Sequence, residues 1–121
     1  MYQDLLNKEK TMAVIGLGYV GLPIALAFAK KLRVIGFDIN SERVDMMKNN
    51  IDPSNELDAS AFDGCDISFT DTIEDLHSAS FFIVAVPTPV DDHKVPDLTP
   101  VLSASRAVGK VLSKGDVVVY E

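Results

Sequence analysis

Residues 12–24 have the sequence MAVIGLGYVGLPI, and this stretch decides the fold. Its first four residues are apolar without polar alternation and end at Gly16, which predicts a strand over 12–15 that is buried on both faces of a parallel sheet. A helix is predicted over 20–31, because Pro23 falls in the first turn, where its missing N–H costs little. Apolar residues recur at helical spacing through this segment.

The rest of the chain repeats the alternation of strand and helix. Further strands are predicted at 33–37, 67–70, 81–86 and 116–120, and further helices at about 41–48, 71–77 and 100–112. Apolar strands separated by helices predict an α/β fold, a Rossmann-type doubly wound parallel sheet of about five strands with helices on both faces. Ligands bind such sheets beyond the carboxyl ends of the strands, so the functional residues are expected there.

Several helix starts carry capping signals. Either Asn40 or Ser41 is suited to cap the helix that ends near Lys48. Asp71 with Glu74 predicts a capping box for the brief helix that follows. Thr99 is the predicted cap of the last helix, with Pro100 at the first helical position.

Composition limits the kinds of partner and site. The 121 residues carry 18 acidic and 11 basic side chains, a net charge of −7 that argues against a nucleic-acid partner, and the length predicts one domain over residues 1–121. The single cysteine, Cys65, excludes a disulfide framework and a Cys-rich zinc site, which predicts a reducing, cytoplasmic location. Ten acids and no Lys or Arg lie between Lys48 and Lys94, but their spacing matches no calcium loop. A solvated acidic face without a metal is therefore predicted.

An uncharged run from Thr11 to Ala29 is 19 residues long, about the length that a bilayer span needs. Three glycines and Pro23 crowd into its middle, where they would weaken a lipid-exposed helix and suit a strand, a tight turn and a new helix. Residues 1–10 are polar and contain no apolar signal region. We therefore predict no membrane partner.

The sequence GLGYVG, which begins at Gly16, fits the G-x-G-x-x-G pattern of dinucleotide-binding turns. Gly16 allows a sharp turn from strand to helix, Gly18 leaves room for a pyrophosphate, and Gly21 lets the helix pack close to the sheet. The backbone amides of Tyr19 and Val20 are then free to point at phosphate, where the helix dipole adds a favourable field. A tight connection without a ligand stays open, since the pattern alone is weak evidence.

An acid follows at the expected distance. Asp38 ends the second predicted strand, 17 residues after the last glycine, where it can accept hydrogen bonds from both hydroxyls of an adenosine ribose. A ribose 2′-phosphate would meet that carboxylate, so the predicted cofactor is NAD rather than NADP. Methyltransferases that use S-adenosylmethionine also pair a glycine loop with an acid after the second strand, and they remain the main alternative.

Four of the six prolines lie between Pro87 and Pro100, which predicts a stiff, extended loop directly after the fourth strand. Such a loop would lie against the cofactor or the substrate. Thr88 offers a hydroxyl there, and the prolines on either side hold it still. A simple loop breaker explains the same residues equally well.

Four segments resemble the amino-terminal domain of the UDP-glucose/GDP-mannose dehydrogenase family: AVIGLGYVGLPIA, VIGFDIN, VAVPTPVDDHKVPDLTPV and GDVVVYE, in this order and at this spacing. The likeness runs from about Met12 to Glu121. Within the family, the PDLTPV run and the VVVYE ending look most like the UDP-N-acetylhexosamine 6-dehydrogenases that serve Vi-type and O-antigen polysaccharides. The glycine loop is shared by many dehydrogenases, whereas YVGLP followed by VPTP and PDLTP is specific.

The resemblance implies an NAD-dependent enzyme that oxidises the C6 alcohol of a UDP-sugar to a carboxylate in two hydride transfers, through a thioester on a catalytic cysteine. It further implies a nucleotide-sugar substrate and a homo-oligomeric parent protein. The implied cofactor contacts are Gly16, Gly18, Tyr19, Val20 and Gly21 on the pyrophosphate, Asp38 on the adenosine ribose, Arg43 on the adenosine edge, and Thr88 with Pro87 on the nicotinamide half. A second interpretation of Arg43 is a solvated charge on an exposed helix face.

The chain departs from the family in its length. The family's catalytic Cys, Lys and Asn and its sugar-binding domain lie in a long central and carboxyl-terminal part, and Cys65 lies among acids that disfavour a thiolate. His77 and His93 have no partner in sequence, so no catalytic residue is predicted, and the chain alone is expected to bind NAD without turnover. Two classes stay open, the cofactor part of a nucleotide-sugar dehydrogenase and a free-standing nucleotide-binding module. The length of the parent gene would separate them.

Overall fold

A computed structural model describes residues 1–121 and confirms a five-stranded, Rossmann-type parallel sheet. The strands are β1 (Thr11–Ile15), β2 (Val34–Phe37), β3 (Ile67–Thr70), β4 (Ala79–Val84) and β5 (Val117–Tyr120), and the helices are α1 (Tyr2–Leu6), α2 (Gly21–Ala29), α3 (Ser41–Lys48) and α4 (Thr99–Val111). Two short 3₁₀ segments, Ala59–Phe62 and Ile73–Ser78, precede β3 and β4.

The sheet has the strand order β3-β2-β1-β4-β5, and every neighbouring pair is parallel. The chain winds outward from β1 to β3, and β4 then lies on the other side of β1. This reversal leaves a crevice beyond the carboxyl ends of β1 and β4, the place where open α/β sheets bind ligands. Ile15, the last residue of β1, pairs with Phe37 on one side and Val84 on the other, so the three strands end together.

Alternate residues of β1 serve the two faces of the sheet, because successive side chains of a strand point to opposite sides. Met12 and Val14 join a core cluster of 15 residues that includes side chains of α2 and α3. Ala13 and Ile15 join a second cluster of 10 residues that includes side chains of α4. Helices therefore cover both faces, which explains why β1 carries no polar alternation.

The fourth strand begins and ends two residues before its predicted bounds of 81–86. Its partner sets the limits, since Thr11 at the start of β1 pairs with Ala79 and Ile15 at its end pairs with Val84. After Ile15 the chain leaves the sheet at Gly16, so β1 offers no further partner to β4. The apolar run continues past the end of the paired segment, so hydrophobicity gives the right strand length but places the strand two residues too late.

The predicted capping box at Asp71 and Glu74 is wrong. The Asp71 carboxylate accepts a hydrogen bond from the Ser41 hydroxyl at 2.6 Å and another from the Thr72 hydroxyl at 3.1 Å, and these bonds lower the pKa of Asp71. The following 3₁₀ segment has no side-chain cap. The Asp71 carboxylate thus binds Ser41, which is 30 residues away in sequence, and does not cap the segment that follows it.

The predicted cap at Thr99 is also wrong, because Thr99 is the first residue of α4 and not its cap. The Thr99 N–H donates to the Asp97 carboxylate at 2.9 Å. Hydrogen bonding to Thr99 lowers the pKa of Asp97. Of the two predicted caps for α3, the structure has Asn40, whose side-chain oxygen accepts from the Arg43 N–H at 3.1 Å, while Ser41 is the first helical residue. An aspartate two residues ahead of a backbone N–H can make the bond that a threonine cap would otherwise make.

The amino-terminal segment folds as the short helix α1, which the sequence did not predict. Leu5 is buried in the larger core cluster, while the rest of the helix is mostly exposed. After α1, Lys8 forms an ion pair with Asp66, the residue before β3, with 2.7 Å between the ammonium and the carboxylate.

We predict that Asp66→Asn destabilises the fold by less than about 1 kcal/mol at neutral pH, because the ion pair with Lys8 is partly exposed. The hydrogen bond from Lys8 lowers the pKa of Asp66, with a further contribution from Arg33. The stabilisation is therefore present above the ordinary aspartate pKa and is lost as pH falls through the lowered value. Urea midpoints should differ between the chain and the variant at pH 7 and converge at low pH. A difference that persists at low pH would refute this origin, and Asp63→Asn serves as the control.

The uncharged run from Thr11 to Ala29 is divided between β1, the glycine turn and α2. The helices of this structure are all too short to span a bilayer.

Candidate functional site

The first glycine of the turn is required by geometry. Gly16 follows β1 with φ of +96°, a conformation that residues with a side chain rarely adopt. A Cβ at this position would lie 2.9 Å from Val86 Cγ1 and 3.0 Å from the Ala85 carbonyl. The turn therefore packs directly against the end of β4, at the crevice between the two strands.

The third glycine is required by packing. A Cβ on Gly21 would lie 1.7 Å from the Gly16 carbonyl oxygen and 3.4 Å from Ala85 Cβ. The start of α2 therefore touches the end of β1, which is the close approach of helix and sheet predicted from the motif.

The second glycine faces open space, because a Cβ built on Gly18 has no heavy atom within 4 Å. The backbone N–H groups of Gly18, Tyr19, Val20 and Gly21 donate no hydrogen bond within the chain. Tyr19 and Val20 are exposed, with 74% and 49% of their surface accessible. A row of free donors at the positive end of a helix is suited to hold an anion.

Asp38 directly follows β2, next to this row of donors. Its carboxylate accepts from the Leu17 N–H at 3.0 Å through Oδ2 and from the Asn40 N–H at 3.0 Å through Oδ1. The side chain is half-buried, and each oxygen keeps a second lone-pair direction for a further donor. The carboxylate is thus oriented by the backbone and able to accept from ribose hydroxyls.

Arg43 extends from its helix toward the glycine turn. The half-buried guanidinium extends from α3 to within 3.5 Å of the Leu17 carbonyl oxygen and 3.5 Å of the Ser54 hydroxyl. None of the ion pairs in the structure includes Arg43. Leu17 joins the two charged residues, since its N–H binds Asp38 and its carbonyl faces Arg43. The sequence motif treats Leu17 as a variable position and gave no signal of this role.

Pro87 and Thr88 are exposed in the loop that follows β4, three and four residues past the carboxyl end of the strand. The Thr88 hydroxyl makes no hydrogen bond within the chain, so it is available to a ligand. The loop is folded back on itself, because the Asp97 N–H donates to the Pro89 carbonyl at 2.6 Å. The predicted extended loop is therefore partly a compact turn.

Cys65 lies away from this crevice, and the imidazoles of the two histidines make no hydrogen bond to the site residues. Cys65 precedes β3, so it lies at the amino ends of the strands, whereas the crevice lies at their carboxyl ends. Its Sγ lies 3.4 Å from the Leu26 carbonyl oxygen. His77 and His93 are exposed in the second 3₁₀ segment and in the loop after β4. The site contains donors, an acceptor and a guanidinium, but no thiol or imidazole for chemistry.

A parallel sheet with a glycine turn, free amides at a helix start and an acid after β2 defines a dinucleotide-binding domain. Residues 10–121 match the NAD binding domain of the UDP-glucose/GDP-mannose dehydrogenase family. The chain belongs to this family, its cofactor is NAD, and the resemblance found in the sequence is confirmed.

Relatives support the same family. The chain is 51% identical over 115 residues to a UDP-N-acetyl-D-glucosamine 6-dehydrogenase of Pseudomonas aeruginosa, and 46% identical over 114 residues to the enzyme of that name from Salmonella typhi. The aligned regions cover 94% and 93% of this chain but 27% of each relative. The chain thus spans about a quarter of the length of these curated relatives.

Solved structures agree on the fold. A UDP-N-acetyl-mannosamine dehydrogenase, Cap5O from Staphylococcus aureus, matches 93% of this chain with a TM-score of 0.82 at 30% identity, over 28% of its own length. A UDP-D-ManNAc dehydrogenase from Pyrococcus horikoshii matches 92% with a TM-score of 0.79 at 34% identity, again over 28% of its length. These findings favour the dehydrogenase over the methyltransferase alternative.

Proposed function

We propose that this chain holds NAD across the crevice between β1 and β4, as the cofactor-binding part of a nucleotide-sugar 6-dehydrogenase. The observation that carries the proposal is the run of four unbonded amides, Gly18 to Gly21, beside open space at the start of α2. Backbone donors and a helix dipole converge there on a position with room for a pyrophosphate.

The other residues extend this site in both directions along the cofactor. Asp38 would accept the adenosine ribose hydroxyls, and Arg43 would border the adenosine. On the far side of the glycine turn, Thr88 and Pro87 would border the nicotinamide half. Gly16 supports the arrangement indirectly, because it lets the turn approach the end of β4.

We propose that the parent protein oxidises the C6 alcohol of a UDP-N-acetylhexosamine to a carboxylate. Bound NAD would supply the hydride acceptor for this reaction. The role of the present chain is to orient that acceptor, since its only thiol, Cys65, lies at the amino ends of the strands and not beside the crevice. The relatives named UDP-N-acetyl-D-glucosamine 6-dehydrogenase support this substrate class. We further propose that residues 1–121 act as one NAD-binding domain of a cytoplasmic, homo-oligomeric parent.

The proposal predicts that NAD binds this chain about 10 to 100 times more tightly than NADP. A 2′-phosphate would replace a hydroxyl that donates to Asp38, and losing one good hydrogen bond to a charged acceptor costs about 1.5–3 kcal/mol. Isothermal titration calorimetry of the chain with NAD, NADP and S-adenosylmethionine measures the preference directly.

Asp38→Asn is the matched variant, because an amide keeps one acceptor oxygen and removes the charge. It should weaken NAD binding and narrow the difference between NAD and NADP, while the thermal midpoint shows whether the turn remains folded. Equal affinities for NAD and NADP in the unaltered chain would contradict the role of Asp38. Absence of NAD binding would reject the proposed function itself.

A further inference from the structure

The loop after α3 is built around one buried carboxylate. Asp52 is 7% exposed and accepts three backbone N–H groups, from Ser54 at 2.8 Å and from Glu56 and Leu57 at 2.9 Å each. No side chain of opposite charge pairs with it. A buried carboxylate of this kind is retained only when its hydrogen bonds are satisfied, so its presence fixes the loop in one conformation.

The conformation fixed by Asp52 places Ser54 against the cofactor site. The half-buried Ser54 hydroxyl lies 3.5 Å from the Arg43 nitrogen Nη2, the atom that also lies 3.5 Å from the Leu17 carbonyl oxygen. The same nitrogen of Arg43 thus lies between the glycine turn and the loop. Asp52, Ser54 and Arg43 form a continuous series of contacts that ends at the glycine turn.

The contacts of Arg43 orient its charge without neutralising it. Both partners, the Leu17 carbonyl and the Ser54 hydroxyl, are neutral, and both distances are at the long limit of a hydrogen bond. A guanidinium that pairs with a carboxylate uses its charge and its N–H groups on that partner and has fewer donors left for a ligand. Here the remaining N–H groups and the planar face are available to a ligand at the adenosine side.

We propose that Asp52 and Ser54 are positioning residues for the adenosine half of the cofactor, acting through Arg43. This inference rests on the proposed function, because it assumes that NAD lies against Arg43. Asp52 folds the loop, Ser54 limits the rotation of the guanidinium, and Arg43 makes the contact. The interaction lowers the entropy that Arg43 loses when the ligand binds.

A double-mutant cycle on NAD binding tests the proposal. Ser54→Ala should raise the Kd for NAD about threefold and Arg43→Gln about tenfold, whereas the double variant should also show about tenfold, because Ser54 acts only through Arg43. ADP should show the same pattern, and nicotinamide mononucleotide should be unaffected by either change. Ser54→Thr keeps the hydroxyl and should retain the original affinity.

Asp52→Asn extends the cycle to the loop. An amide has a single acceptor oxygen, so the loop loses at least one of its three bonds, and both the urea midpoint and NAD affinity should fall. In the Arg43→Gln background the urea midpoint should still fall while NAD affinity should not change further. Asp116→Asn is the matched control. The Asp116 carboxylate also accepts a hydrogen bond from a backbone N–H, that of Ser113, but it precedes β5 and lies at the amino ends of the strands, away from the crevice.

The outcomes separate the two proposals. If the unaltered chain does not bind NAD, the proposed function fails. If it binds NAD and Ser54→Ala has no effect, or if the effects of Ser54→Ala and Arg43→Gln multiply, the positioning role is wrong and the loop is only structural. Should Asp52→Asn fail to fold, the Ser54 and Arg43 cycle still decides the question.

Discussion

Gly21→Ala is expected to destabilise the fold by at least about 3 kcal/mol, a cost at the upper end of overpacking. The new Cβ would lie 1.7 Å from the Gly16 carbonyl oxygen, and this neighbour is backbone that cannot rotate away. The start of α2 must therefore separate from the end of β1, which also moves the four amides of the site. Urea unfolding followed by circular dichroism measures the loss, and NAD affinity should fall with it.

Gly109→Ala is the matched control because it is the same substitution inside helix α4. A Cβ there has no heavy atom within 4 Å, and alanine is favoured over glycine in a helix interior by up to about 1 kcal/mol. The two variants should therefore change stability in opposite directions. If Gly21→Ala is as stable as the unaltered chain, helix and sheet are not in the close contact described for the turn.

The fold was predictable because its signals are local. One βαβ unit contains the apolar run of β1, the glycine spacing and the acid after β2. All three features point to the same sharp turn between β1 and α2. Gly16 illustrates this, since its positive φ and its contact with the end of β4 both follow from a sharp turn between buried elements. Sequence spacing therefore predicted the class of fold and the turn at which the candidate site is built.

The remaining errors arise from partners that are distant in sequence. Asp71 binds Ser41 across 30 residues rather than capping its own helix, and the register with β1 limits β4. Arg43 contacts Leu17 across 26 residues, a contact that its helix position did not predict. Local propensity has no access to these competing contacts, which tertiary packing decides.

The burial of Asp52 was also not predicted from the sequence. Asp52 was counted among ten acids of a solvated face, yet it is buried and bonded to three backbone amides. One signal was present, because the run Asp52-Pro53-Ser54 is typical of a turn in which the aspartate side chain accepts from the backbone two residues on. The burial of the carboxylate required the structure.

Gly18→Val is expected to raise the Kd for NAD at least about 100-fold, or about 2.7 kcal/mol, without unfolding the domain. The position differs from Gly21 because a Cβ here meets no protein atom within 4 Å and its φ is not positive. The valine side chain would enter this open space, where the pyrophosphate is proposed to lie. Calorimetric titration with NAD and a thermal melt measure the two effects separately.

Gly18→Ala and Gly109→Ala complete the comparison with Gly18→Val. A smaller side chain at position 18 should give an intermediate loss of affinity, because it blocks less of the same space, whereas Gly109 in helix α4 should leave NAD affinity unchanged. A steric block predicts this graded series with thermal midpoints that stay close together. Native circular dichroism with unaltered NAD binding in Gly18→Val would show that the pyrophosphate does not approach the turn at Gly18. The proposed site would then have to lie elsewhere along the carboxyl ends of the strands.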